Sequence, residues 1–289
     1  MTPLRTDNRE QRTASYCGRL APSPTGLLHL GHARTFWIAY ERARQNGGKL
    51  WLRDENLDPL RSRAEFAQAM REDLYWLGIA WDDELRQSDR IPRYRDAMRQ
   101  LLQAGFAYPC SCSRRDLQQA TQAPHEDDDE PLYSNRCRPG SSDLSTLDRV
   151  LVSNSNYRFR IADGDPVAFR DNHAGPQSFT PGVDFGDFLI WRKDGLPSYQ
   201  LACVVDDAAM GITEVVRGRD LLKSTARQIL LQRALTLQTP AYFHTDLMRD
   251  AAGQRLAKRH DALSLRAMRE AGLTPADARA KLVLPSSGV

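Results

Sequence analysis

The chain has 289 residues, of which 41% are hydrophobic and 27% charged, and its net charge is +3. That length suits about two domains and a core that needs no disulfide staples. The charge balance tolerates a nucleic-acid partner without arguing for one, and no run approaches the ~18 apolar residues that a membrane span requires.

The opening stretch MTPLRTDNREQRTAS is polar and lacks the apolar core of a signal peptide. A frayed tail over residues 1–15 and a cytoplasmic location, with no membrane partner, are expected. Residues 17–23 read as a short strand ending in proline. APSPTGLLHLGHART (21–35) then sets prolines and glycines among two histidines. His29 and His32 are three apart, so on a first helical turn they share a face. The helix that follows offers unpaired N–H groups and a positive dipole end to an anion. Gly26 and Gly31 remove side chains where a bulky ligand could approach the backbone. Phe36, Trp37, Tyr40 and Ala43 recur at helical spacing, predicting a helix from Ala33 to about Arg44. NGG (46–48) ends it, and KLWLRDE follows as a strand with Leu50 and Leu52 on one face. This is a βαβ opening.

Ser62 and Glu65 have capping-box spacing, and Phe66, Met70, Leu74 and Leu77 follow on one helical face. A further amphipathic helix carries Tyr94, Ala97, Met98, Leu101 and Leu102. From about Pro109 to Gly140 the texture changes to Cys, Ser and Asp, and HEDDDE (125–130) reads as a solvated loop. The five cysteines are Cys17, Cys110, Cys112, Cys137 and Cys203. An odd number with three close together points to a metal site rather than a disulfide framework. Zn²⁺ takes four tetrahedral ligands. Cys110, Cys112 and Cys137 supply three, and the fourth is open among Tyr133, His125 and water, with general zinc chemistry favouring His125.

Residues 157–170 alternate like strands through Tyr157, Phe159 and Ile161. DFLIWRKDGLPSYQLACVVDDAAMGITEVVRG reads as strand, turn, strand or short helix, and strand. Leu221 to Leu237 reads as a helix with Ala226, Ile229, Leu230, Ala234 and Leu237 on one side. The sum is a βα half, an insert and a second βα half.

Taken together, the motifs resemble a known family. GRLAPSPTGLLHLGHART resembles the first signature of class I aminoacyl-tRNA synthetases in the form used by the glutamate branch. Its His-Ile-Gly-His core is here His29-Leu30-Gly31-His32. LRDENLDPLRSR resembles that branch's Arg-x-Glu-Asp-x-Asp segment, with Asn56 where Asp is usual and Asp58 retained. SYQLACVVDDAAMGITEVVRGRDLL resembles its second-half segment. RLAKR (255–259) resembles a degenerate Lys-Met-Ser-Lys-Ser loop, with Arg255 and Ala257 as departures and Lys258 kept. The resemblance covers about residues 16–265. Cys110-Ser-Cys112 and Tyr133-x-x-x-Cys137, in a chain that stops about 30 residues after Lys258, are similar to the glutamyl-Q tRNA(Asp) synthetases. That stand-alone branch transfers glutamate to queuosine rather than to a tRNA 3′ end.

The resemblance implies an α/β fold: a Rossmann-like parallel sheet split by an insert with a zinc-binding subdomain, and a short helical C-terminal tail. The expected divisions are a tail at 1–15, a first catalytic half at 16–108, an insert at 109–188, a second half at 189–245, and the Lys loop with helical tail at 246–289. It implies catalysis by His29, His32 and Lys258, with Gly31 beside them in ATP binding. For glutamate it implies Arg19, Ala21, Ser23, Glu55 for the ammonium, Tyr199 as a hydrogen-bonding partner, and Arg217 for a carboxylate. It implies one structural Zn²⁺ on Cys110, Cys112, Tyr133 and Cys137. ATP with Mg²⁺, L-glutamate and queuosine-containing tRNA(Asp) are the implied substrates, and a monomer is expected.

Overall fold

The computed structural model describes residues 15–112, 133, 135–140, 151–162, 164–248 and 264–282. Strand β1 (Cys17–Leu20) leads through the Pro/Gly stretch into helix α1 (Leu30–Gln45), and β2 (Lys49–Asp54) returns parallel to β1. Leu20, Leu50 and Leu52 are fully buried, as their alternation predicts. The return is tight. A Cβ at Gly48 would stand 2.4 Å from the Tyr16 carbonyl oxygen, so only glycine fits there.

Helix α2 (Ala64–Leu77) crosses to β3 (Asp83–Arg86), which runs parallel to β2. The expected capping box does not form: the N-cap is Arg63, and no side chain caps the helix. Ser62 N donates to Asp58 O at 2.8 Å and Arg63 N to Pro24 O at 3.0 Å, so the chain is still turning at Ser62. Helix α3 (Ile91–Gln103) buries Tyr94, Ala97, Met98, Leu101 and Leu102, the face its spacing predicts.

After α3 come β4 (Ala107–Cys110), β5 (Asn156–Phe159), the hairpin β6 (Val167–Asp171) and β7 (Gly175–Phe179), and β8 (Phe188–Trp191). Strands β4, β5 and β8 form an antiparallel sheet. Helix α4 (Tyr199–Ala209) forms where the sequence admits either a strand or a short helix; Ser198 caps it by accepting from Leu201 N. Then follow β9 (Glu214–Gly218), α5 (Leu222–Ala234) and β10 (Ala241–Thr245). Strand β10 lies between β9 and β6, parallel to both.

The two sheets with parallel strands meet at β1 and β9. Thr213 N donates to Cys17 O at 2.9 Å, and Arg19 Nη1 to Val216 O at 2.9 Å. The succession β3, β2, β1, β9, β10 therefore reverses direction between β1 and β9, where open α/β sheets bind ligands at strand carboxyl ends. The tail helices α6 (Leu265–Glu270) and α7 (Pro275–Leu282) bury Leu265, Met268, Ala278 and Leu282 in the core that also holds residues of α1 and α2. Among the described residues, no helix is long and apolar enough to cross a membrane.

Candidate active site and metal centre

The first predicted site sits at the amino end of α1. His29 is its N-cap, and His29 Nδ1 accepts from Gly31 N at 3.1 Å. The His29 and His32 rings stack at 3.7 Å between centroids. Gly31 serves this arrangement directly: a Cβ there would lie 3.0 Å from the His29 ring. The glycine thus makes room for an imidazole, whereas the expectation was room for a ligand. Gly26 does leave open space, with nothing within 4 Å of a built Cβ. Leu265 N donates to Leu28 O at 2.8 Å, so the chain returns beside the histidines at Ser264. Lys258, Arg255 and Ala257 lie outside the described residues, as does His125.

The second site lies at the β1–β9 reversal. Arg19 and Arg217 come from the ends of those strands, and both are buried. Arg53, at 0% exposure, forks onto Glu55 Oε1 through Nε at 3.1 Å and Nη2 at 2.9 Å. Its Nη1 meets Asp207 Oδ1 at 2.5 Å, and Arg19 Nε approaches the same oxygen at 3.4 Å. Burial pushes the Glu55 carboxyl above its ordinary range, against the pull of Arg53 and Arg19. Burial would do the same to Asp207, but Arg53 and Arg19 outweigh it and hold that carboxyl below its ordinary range. The Tyr199 hydroxyl is pushed well up by burial and by the neighbouring Cys203, and it feels the charges of Arg217, Glu55 and Arg19. Ala21 is half-buried and Ser23 exposed, close in sequence to the same strand end. Asn56 is turned away onto Ser88: its Nδ2 donates to Ser88 Oγ at 3.0 Å and its Oδ1 accepts from Ser88 N at 2.9 Å. The carbonyl half of that pair would be met equally by the aspartate usual there.

The structure thus brings Arg19, Glu55, Tyr199 and Arg217 into one charge cluster. Sequence reasoning missed Arg53 and Asp207, although both lie inside the quoted motifs. It also missed His244 and Asp171. Arg217 Nε donates to His244 Nε2 at 3.1 Å and Nη2 to Thr225 Oγ1 at 2.8 Å. His244 Nδ1 meets Asp171 Oδ2 at 2.6 Å, with both groups fully buried.

A separate cluster gathers in the expected insert. The sulfurs of Cys110, Cys112 and Cys137 all lie within 4.8 Å of one another. Cys112 Sγ and Cys137 Sγ are 3.7 Å apart, and Tyr133 Oη is 3.5 Å from both Cys110 Sγ and Cys112 Sγ. Tetrahedral geometry with ~2.3 Å sulfur and ~2.0 Å oxygen bonds places ligand atoms roughly 3.8 Å (S to S) and roughly 3.5 Å (S to O) apart. The donor set fits a metal ion of that kind. Arg158 faces it, with Nε donating to Cys110 Sγ at 3.3 Å and the guanidinium 3.7 Å over the Tyr133 ring. A buried cation there offsets the negative charge that several thiolates would gather.

Residues 17–284 match the family described as tRNA synthetases class I (E and Q), catalytic domain. The glutamyl-Q tRNA(Asp) synthetase of Symbiobacterium thermophilum is 45% identical over 90% of this chain and 83% of its own length. The glutamate–tRNA ligase of Aquifex aeolicus is 41% identical over 89% of this chain, which spans 54% of that protein. The solved glutamate tRNA ligase of Elizabethkingia meningosepticum, determined in complex with its amino acid, superposes with a TM-score of 0.70 at 28% identity. It is matched over 85% of this chain and 52% of its own, so the chain spans about half of that structure. The histidine-capped helix, the charge cluster at the sheet reversal and these likenesses agree: the chain belongs to the class I tRNA synthetases of the E and Q type, ATP-dependent ligases, and corresponds to their catalytic domain.

Proposed function

We propose that this protein activates L-glutamate with ATP and transfers the glutamyl group to queuosine in the anticodon loop of tRNA(Asp). The observation that carries the first half is the charge of the pocket. Three buried guanidiniums (Arg19, Arg53 and Arg217) face two carboxylates (Glu55 and Asp207). The counter-charge of the third guanidinium, Asp171, lies behind the neutral His244 ring, so on the side facing Glu55 and Asp207 one positive charge is left over, and Arg217 Nη1 is buried without a hydrogen-bond partner among the described residues. A glutamate zwitterion carries one net negative charge and supplies the missing acceptor.

In this reading Arg217 takes a substrate carboxylate, Glu55 the ammonium and Tyr199 a further hydrogen bond, while Arg19, Ala21 and Ser23 line the strand end. ATP with its Mg²⁺ binds at the amino end of α1, where His29, His32 and the backbone around Gly31 meet the phosphates with Lys258. A glutamate α-carboxylate oxygen attacks the α-phosphorus; that O–P bond forms as the bond to pyrophosphate breaks, and pyrophosphate leaves. The helix dipole, the imidazoles and Lys258 stabilise the charge that develops on the phosphate oxygens. A queuosine hydroxyl then attacks the adenylate carbonyl, and AMP leaves. Zn²⁺ held by Cys110, Cys112, Tyr133 and Cys137 ties β4 to the residues around Cys137, a structural role within an insert over 109–188.

The acceptor assignment is supported by several relatives named glutamyl-Q tRNA(Asp) synthetase at 41–46% identity. The Aquifex glutamate–tRNA ligase at 41% keeps a second reading, in which the acceptor is a tRNA 3′ end. Labelled glutamate supplied with tRNA(Asp), its 3′ terminus blocked and its queuosine diol intact, decides between them. Label in the anticodon-loop fragment is the expected result. Label that appears only on an unblocked terminal adenosine overturns the queuosine assignment.

A further inference from the structure

The position of Arg217 is set from behind by two residues that no motif singled out. Asp171 ends β6, His244 lies in β10, and Arg217 lies in the neighbouring β9, with Arg217 opposite His244 in the strand register. Asp171 accepts from the backbone N–H of His173 (2.9 Å), Ala174 (2.7 Å) and His244 (3.1 Å), besides the His244 ring. Burial alone would raise that carboxyl, but these donors outweigh it and hold it well below its ordinary range. An ionised Asp171 can only accept, so His244 Nδ1 carries the proton. Burial pushes the His244 ring down to about 4 despite Asp171, so it is neutral at pH 7 and Nε2 presents a lone pair. Arg217 Nε–H donates into that lone pair, while Nη2 is taken by Thr225. Two anchors fix the plane of a guanidinium. The buried nitrogen they leave over is Nη1.

We propose that Asp171 and His244 are positioning residues for Arg217, fixing its guanidinium plane so that Nη1 stays turned to a carboxylate of the bound amino acid. The proposal rests on the reading of Arg217 as a glutamate ligand. The direction of the relay matters more than its presence. With an acceptor at the far end, His244 must be the tautomer that receives from Arg217. With a donor there, the ring would move its proton to Nε2, where it meets Arg217 Nε–H head on and has only Thr225 Oγ1, at 3.1 Å, to accept it.

The test is glutamate and ATP binding to the full chain by calorimetry. Asp171→Asn keeps the shape but offers an amide N–H to Nδ1, which imposes the wrong tautomer. It should weaken glutamate binding about tenfold, the scale of one charged hydrogen bond, and leave ATP binding unchanged. His244→Phe should do likewise. His244→Gln, whose Oε1 can accept from Arg217, should recover most of the loss. Arg217→Ala should weaken glutamate binding by more, and adding Asp171→Asn to it should change nothing further. Wild-type glutamate affinity in Asp171→Asn, or full additivity with Arg217→Ala, overturns the relay while leaving Arg217 as a ligand. Unchanged affinity in Arg217→Ala overturns the glutamate reading itself. Should the Asp171 and His244 variants fail to fold, the ¹⁵N shifts of the wild-type His244 ring decide. A protonated Nδ1 with a bare Nε2 is expected, and the reverse tautomer or an imidazolium at neutral pH refutes the proposal.

Discussion

Asp207 offers a direct measure of how much of the pocket's charge is buried. Its Oδ1 receives Arg53 Nη1 at 2.5 Å and lies 3.4 Å from Arg19 Nε, and all three side chains are almost fully enclosed. Removing one member of a buried ion pair costs ~3–5 kcal/mol, because the partner's charge is left without compensation. Here the loss is moderated. Arg53 keeps its fork on Glu55, and Arg19 keeps the Val216 carbonyl. The lower end, about 3 kcal/mol, is therefore expected for Asp207→Asn. At roughly 2–4 °C per kcal/mol for a domain of this size, that lowers Tm on the order of 6–12 °C. Thermal unfolding followed by circular dichroism gives the number, with Asp246→Asn as comparison. Asp246 pairs with Arg219 and His173 at the surface, where solvent screening leaves little to lose. The pH dependence has a definite sign. The folded carboxyl of Asp207 is held below its ordinary range, so its contribution is present above the unfolded value and lost as pH falls through the folded one. The gap in Tm between wild type and Asp207→Asn should close on acidification below the ordinary carboxylate range. A Tm within 2 °C of wild type at neutral pH would refute the reasoning, since it would mean that water already screens Arg53 and Arg19.

Two further outcomes bear on the remaining parts of the site. Purified protein should carry about one Zn per chain by elemental analysis, and Cys112→Ser and Cys137→Ser should each lose it; full metal retained by both variants rules out the site. Lys258→Ala should slow glutamate-dependent pyrophosphate exchange by on the order of 10²–10³, the effect of removing one transition-state donor, and an unchanged rate assigns that lysine a structural role.

What could be read in the sequence divides by range. Helix α3 was legible because five apolar residues at helical spacing need only one face and one partner core. The pairing of His29 and His32 was legible for the same local reason, but the helix begins at Leu30 rather than at the expected Ala33, so His29 is its cap and not part of its first turn. The capping box at Ser62 misled, because a local pattern was overridden by contacts to Asp58 and Pro24 that hold the chain in a turn. The charge cluster was half legible. Arg19, Glu55 and Arg217 stand in segments that the resemblance singles out, but nothing in those segments says that Arg53 and Glu55 share a fork or that Asp207 closes it from α4.

The hardest residues to foresee were Asp171 and His244, 73 positions apart. Asp171 sits at a hairpin corner that reads as an ordinary turn, and His244 sits in a strand where a lone buried imidazole usually signals nothing more than packing. Their meaning exists only after β10 is laid between β6 and β9. That arrangement is dictated by parallel pairing, which joins strands distant in sequence. The sheet thus sets two unremarkable residues directly behind Arg217. Arg217 stands in a segment that carries the family resemblance. The side chains that orient it are chosen by strand order, and strand order is written across the whole chain.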